Sequence, residues 1–321
     1  MNTAQGKAIA VRRERIDAEG AGQRVDNYLL RVCKGVPKSH VYRILRSGEV
    51  RVNGGRVDAT YRLKDGDEVR IPPVRVAGPD ARGAAPAGKA LPVVFEDDAI
   101  LVVDKPAGKA VHGGSGVSFG VIEQLRSQRP DARLLELAHR IDRETSGLLI
   151  VAKKRSALKA LHDMMREGRI DKHYLTLVRG TWHNALQHVR FPLLKYLLPD
   201  GERRVRVSDE GKPSHSVVRK VEVLGGFTLL DVELMTGRTH QIRVHLSHLG
   251  FPLCGDDKYG DFALNKALEK RGLKRMFLHA ASLSFEHPGS GERILLQSPL
   301  PEELQAFVEI LELKGGDGTS F

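Results

Sequence analysis

The sequence predicts an α+β protein built from a small basic module and a larger mixed-sheet domain. Three observations carry this. Apolar stretches of strand length outnumber helical ones and do not alternate regularly with them, which argues against a doubly wound sheet. Positive charge gathers at the N-terminus: the chain is +11 over 321 residues, and its first 73 residues hold 15 Lys and Arg against 9 Asp and Glu. Residues 74–92, VRVAGPDARGAAPAGKALP, are rich in Ala, Gly and Pro without apolar periodicity, the composition of a flexible linker.

Residues 1–20 carry charges where an export signal needs an apolar stretch, so they read as a tail and export is not expected. The module then spans 21–73. Val25, Leu29, Leu30 and Val32 fit one face of a short helix that stops at Gly35-Val36-Pro37. Ser39 reads as the N-cap of a second helix, HVYRILRSG, ending at Gly48. On it Tyr42 and Leu45 point to the core, Arg43 and Arg46 share the outer face, and Lys38 and His40 extend the basic patch. EVRVN, a turn at Asn53-Gly54, and a strand ending in DEVRIPP complete the unit. Cations over a small sheet can sit on a phosphate backbone, although on charge alone a solvated face is an equal reading.

The larger domain spans 93–315, followed by a tail at 316–321. PVVFEDDAILVVDKP predicts two strands around an Asp-Asp turn, and SFGVIEQLRSQRP a helix. LLIVAKKRSALKALHDMMREG reads as a strand running into a helix. HYLTLVRG, FTLLDVELMTG and LSFEHP read as further strands. Hydrophobic content of 41% with 28% charged residues suits a globular protein with a proper core, and no run of eighteen apolar residues exists. Cys33 and Cys254 form no C-x-x-C pattern and read as reduced thiols of a cytoplasmic protein.

Several chemistries lack their residues. VHGGSG, from Val111 to Gly116, has the look of an oxyanion-hole loop, but no G-x-S-x-G elbow supplies a nucleophile. No G-x-x-x-x-G-K-[ST] loop is present. His240, His245 and His248 lack the H-E-x-x-H spacing and any accompanying Cys, so a zinc site is disfavoured. No metal and no cofactor is expected, and the site must work with ordinary side chains. Asp142 is the notable candidate, flanked by Arg140 and Arg143 directly before the apolar run Gly147–Ala152. A desolvated carboxylate nucleophile needs a cation to stay ionised, and Arg243 in TGRTHQIRVH is a candidate from a distant segment. An isolated Asp in this setting would ordinarily be a surface or capping residue.

Company changes that reading. HRIDRETSGLLIVAKK resembles the signature of the pseudouridine synthases that modify structured RNA. Three further segments match the same family in order: Asp104-Lys-Pro-Ala-Gly with Val111-His-Gly, then Lys172-His-Tyr174, then GRTHQIRVHLSHLGFPLCGDDKYG with Leu278-His-Ala. The stretch RVDNYLLRVCKGVPKSHVYRILRSGEVRVNGGRV resembles an S4 RNA-binding module. Together the likeness runs from about residue 20 to beyond 300; Ile141 and Glu144 stand where Leu and Asp are commoner. It implies a mainly antiparallel mixed sheet with a central cleft behind a small S4 domain. It also implies cofactor-independent conversion of uridine to pseudouridine. KGVPKSHVYRILRSGEVRVN, HGGSGVSFGVIE and RVSDEGKPSHS are most similar to bacterial members acting on the large ribosomal subunit, which implies 23S ribosomal RNA as partner.

The resemblance implies a role for each matching residue. Asp142 is the essential carboxylate, and it stays open whether attack falls on C1′, on C6, or proceeds through C2′ deprotonation. Tyr174 stacks on the flipped base and can help remove the C5 proton. Arg243 pairs with Asp142. Lys38, Arg43 and Arg46 bind RNA, with Arg140 filling the vacated base position or touching phosphate, and His112 touching RNA or capping a turn. Lys105, Pro106, Gly113, Gly114 and Gly147 shape loops and strand at the cleft, and Leu278 packs beneath the catalytic loop. No membrane and no obligate protein partner is expected, and monomer is the default. Competing readings are the same chemistry on transfer RNA, an RNA-binding or ribosome-assembly factor without turnover, and, weakest, a metal-dependent nuclease.

Overall fold

A computed structural model describes residues 10–18, 20–33, 36–74, 90–113 and 119–315. The chain divides into two compact units, Met1–Pro86 and Ala87–Phe321. In the first, strand β1 (Arg12–Arg15) is followed by helices α1 (Val25–Val32) and α2 (Lys38–Arg46), then strands β2 (Arg51–Val52) and β3 (Glu68–Ile71). The sheet order is β1-β3-β2, antiparallel throughout. Val25, Leu29, Val41, Ile44, Leu45, Val69 and Ile71 form its core. Asn53 adopts a left-handed backbone (φ 49°) in the turn after β2, a conformation Asn tolerates better than most residues.

Three expectations for this unit need correction. Residues 12–15 are not tail but a strand paired to β3; RRER has no apolar face to betray it, and the neighbouring Ile16 closes the core at 3% exposure. The N-cap of α2 is Pro37, not Ser39, its ring fixing φ at −57° with extended ψ. Tyr42 is exposed instead of buried because Val41, Ile44 and Leu45 set the helix phase. Its hydroxyl donates to Asp26 Oδ2 at 3.0 Å, a carboxylate that Arg24 also grips at 2.6 Å. The expected stop at Gly35 and residues 75–89 of the expected linker lie outside the described residues, as do Gly114 and both extreme tails.

The second unit opens with β4 (Val93–Glu96), β5 (Ile100–Lys105), α3 (Val121–Gln128), β6 (Glu136–Leu137), β7 (Ser146–Ala152) and α4 (Arg155–Arg166). Then come β8 (Asp171–Arg179), β9 (Leu186–Val189), β10 (Leu193–Leu197), β11 (Arg203–Val207), β12 (Ser216–Leu224) and β13 (Phe227–Leu234). The chain continues through α5 (Gln241–His248), α6 (Phe262–Lys270), β14 (Leu278–Glu286), β15 (Arg293–Gln297) and α7 (Glu302–Gly315).

Ten of these strands form one sheet, ordered β4-β5-β7-β14-β8-β13-β12-β9, with β15 on β14 and β6 on β7. Every described pairing in it is antiparallel except β7 with β14. All seven residues of β7 are buried, which is why its sequence reads as an unbroken apolar run. At the parallel seam Gly147 has φ +107°, and a Cβ there would lie 2.3 Å from the Ala280 carbonyl oxygen. Only glycine fits. β10 and β11 stand apart as a two-stranded hairpin. No helix among the described residues is long and apolar enough to cross a membrane.

Candidate active site

The loop between β6 and β7 carries Asp142, and the surroundings pin it from several sides. Ala138 N–H donates to Ile150 O at 3.0 Å, and Ile150 N–H donates to His139 Nε2 at 3.0 Å. Burial pushes His139 down to about 3, so that nitrogen keeps its lone pair. Thr145 N–H closes a turn on the Asp142 carbonyl at 3.2 Å. Lys105 at the end of β5 is fully buried, and its Nζ donates to the carbonyls of Pro106 (2.8 Å), Lys109 (2.8 Å) and Arg143 (3.0 Å). Burial drops its pKa to about 7; three carbonyls still take the three N–H bonds of the ammonium form. Arg143 itself donates to Gly108 O at 2.9 Å, so the 105–109 turn and the Asp142 loop are laced together. From the far side Arg275 reaches Ser146 Oγ at 2.8 Å and Glu144 O at 3.4 Å.

Arg243 on α5 faces this carboxylate. It is 3% exposed. Its Nε and one terminal nitrogen donate to the two oxygens of Asp256 at 2.7 and 2.6 Å, a bidentate pair. The other terminal nitrogen lies 3.4 Å from Asp142 Oδ2. Burial alone would lower the guanidinium's pKa, but the hydrogen bonds and charge of Asp256, then Asp142, outweigh it and raise it. Burial alone would raise Asp256, yet Arg243 holds it below the usual carboxylate range. Arg243 is thus a permanent cation, oriented by one carboxylate and offered to another. The Tyr259 ring lies under the guanidinium at 5.1 Å.

Tyr174 on β8 is 6% exposed and packs in the same core cluster as Ile141 and Leu278. Burial, and then the charge of Asp142, push its phenol well above the usual range, so it is a neutral hydroxyl next to an anion. Leu278 lies buried in this layer. Asp142, Tyr174 and Arg243 therefore come together from segments far apart in sequence. Arg140 and His112 are exposed. Lys38, Arg43 and Arg46 are exposed on α2 of the first unit, with Arg43 beside Glu49 at 3.5 Å.

The three histidines of α5 and its N-cap separate. His240 stands at the site; His245 is buried between Ser214, Ser216 and the Phe191 carbonyl; His248 packs on the Phe191 ring. Sequence reasoning gave no role to Asp256, Tyr259 or His240. A signal for the first was present: a buried arginine facing one partly exposed carboxylate needs a second to hold it, and GDDKYG offers two.

The sequence pattern of the RNA pseudouridylate synthase family matches residues 99–248, and that of the S4 domain residues 23–69. The chain is 53% identical to the ribosomal large subunit pseudouridine synthase C of Salmonella typhi, covering 93% of this chain and 96% of that one. The protein of the same name from Escherichia coli K12 is also 53% identical, over 92% and 95%. Among solved structures, human RNA pseudouridylate synthase domain containing 1 superposes with a TM-score of 0.56 at 26% identity, covering 72% of this chain and 96% of that one. The α+β fold, the ordered motifs and these likenesses agree: the chain is an RNA pseudouridine synthase of the RNA pseudouridylate synthase family, with an S4 domain ahead of the catalytic core.

Proposed function

We propose that this enzyme converts specific uridines of large-subunit ribosomal RNA to pseudouridine in the cytoplasm, with Asp142 as its reacting carboxylate. One observation carries the assignment of that residue. Asp142 is 18% exposed and faces Arg243, whose other donors are locked to the buried Asp256. That arrangement sets a carboxylate beside a fixed cation and leaves it reachable. The target base leaves its stack, at a cost of a few kcal/mol. An aromatic face such as that of Tyr174 returns about 1–3 kcal/mol by stacking. The N1–C1′ bond breaks, the uracil turns, C5 bonds to C1′, and the C5 proton leaves while N1 gains one. Every atom of substrate except exchanged protons is retained.

The S4 unit supplies affinity, through Lys38, Arg43 and Arg46 on the outer face of α2. Arg140 and His112, both exposed near the loop that carries Asp142, meet the RNA around the target. Release of tritium from 5-³H-uridine-labelled, unmodified 23S ribosomal RNA tests the whole reading, because the C5 hydrogen must be expelled. Wild-type protein should release label and Asp142→Ala none. Release confined to transfer RNA would overturn the substrate, and release surviving Asp142→Ala would overturn the site.

A further inference from the structure

His240 precedes α5 in a left-handed backbone conformation, φ 53° and ψ 23°. A non-glycine residue rarely adopts it and keeps it only where its surroundings impose it. The imidazole is held between two groups. Nδ1 lies 2.8 Å from the Tyr259 hydroxyl, and Nε2 lies 3.8 Å from Asp142 Oδ2. The Tyr259 oxygen also accepts the backbone N–H of Val205, on β11, at 2.9 Å.

These contacts select one tautomer. With its oxygen accepting from Val205, Tyr259 has a hydrogen to donate, and His240 Nδ1 is the acceptor the described residues offer it. That places the imidazole proton on Nε2, where it faces an anion. The opposite tautomer would point a lone pair at the Asp142 carboxylate and leave the phenol hydrogen without that partner. Burial lowers His240 below its ordinary value and lifts Tyr259 to about 12, so the imidazole is neutral and the phenol intact at neutral pH.

We propose that His240 is a positioning residue for Asp142: Tyr259, itself held by β11, fixes it as the Nε2–H tautomer, and that N–H steers one carboxylate oxygen. The proposal rests on Asp142 being the reacting group. Both Arg243 and His240 address the same oxygen, Oδ2, at 3.4 and 3.8 Å. Neither of these contacts is to Oδ1, the oxygen this proposal leaves to the substrate. The 3.8 Å separation is longer than a hydrogen bond, as such contacts often are before substrate arrives, and it closes when the nucleotide fills the site. The β10–β11 hairpin thereby reaches the reacting carboxylate through three links: Val205, Tyr259 and His240.

Full-length ¹⁵N-labelled protein gives the test. A long-range ¹H–¹⁵N spectrum, with His240 assigned by comparison with His240→Ala, should show Nδ1 unprotonated and Nε2 protonated. Tyr259→Phe keeps the ring and removes the donor, so this bias should disappear. In single-turnover tritium release His240→Ala and Tyr259→Phe should each fall about tenfold or more, the loss expected for one hydrogen bond to a charged group. RNA affinity should stay within about twofold of wild type, since a positioning defect acts on turnover rather than binding. A protonated Nδ1 in the wild type, or a wild-type rate in either variant while Asp142→Ala is dead, would overturn the positioning role alone. Label release persisting in Asp142→Ala would remove the site reading and this inference with it.

Discussion

The two units of this chain hold their cations in opposite ways. In the S4 unit the arginines and lysines of α2 stand in solvent, where each costs little to keep and is available to a polyanion. In the catalytic unit the cations that matter are inside. Lys105 is fully buried on three carbonyls, and Arg243 is 3% exposed against Asp256. A charge in water binds at long range and is weakened by salt; a charge in the interior binds nothing new but fixes geometry. The same residue types thus stand open to solvent in one unit and are locked into fixed geometry in the other.

Removing a carboxylate from each unit should break that comparison if it is wrong. Asp256→Ala strands a buried guanidinium and should cost about 3–5 kcal/mol of stability. Glu68→Ala removes the partner of Arg13, an exposed pair at 3.0 Å, and should cost under about 1 kcal/mol. Urea unfolding of both variants reads the difference; equal losses would erase the distinction. A subtler effect concerns binding. Lys38→Ala and Arg46→Ala should each lower the slope of log affinity for ribosomal RNA against log salt by about one, uniformly across RNA sequences. Their melting temperatures should not move. A variant that loses affinity with an unchanged salt slope would mean that α2 contributes shape and not charge.

The smallest effect lies between the two extremes, at the half-exposed pair His173 and Asp231, 2.9 Å apart. The hydrogen bond to Asp231 is the largest influence on His173 and raises its pKa above 6.5. A raised folded-state pKa means stabilisation fully present below the unfolded value and lost as pH climbs through the folded one. His173→Ala should therefore cost more stability at about pH 5.5 than at about pH 8.5, by under about 1 kcal/mol. A loss that does not vary with pH would assign the residue to packing.

β8 and α4 were legible because their apolar residues repeat with the spacing of strand or helix, and β5 and β7 because they are unbroken apolar runs of strand length. β1 was not, since RRER pairs by backbone and has no apolar face. The β10–β11 hairpin buries only Leu193 and Val205 completely, too little pattern to read. Asp142, Tyr174 and Arg243, which the fold brings together, were singled out through motifs. Asp256, Tyr259 and His240 were not, because their importance lies in partners that only folding supplies.

The parallel seam between β7 and β14 has a consequence in time. The strand that follows Asp142 pairs with β5 and, at Val151–Ala152, with β6, both made earlier, and at Ser146–Gly147 with His279 and Ala280 of β14. A nascent chain that has produced the carboxylate loop must add more than a hundred residues before that last neighbour exists. Such distant closure is slow to nucleate. During synthesis β6 can cover the far end of β7 early, but the edge at Ser146–Gly147 stays open until the ribosome has delivered β14, so the surroundings of the Asp142 loop are completed late.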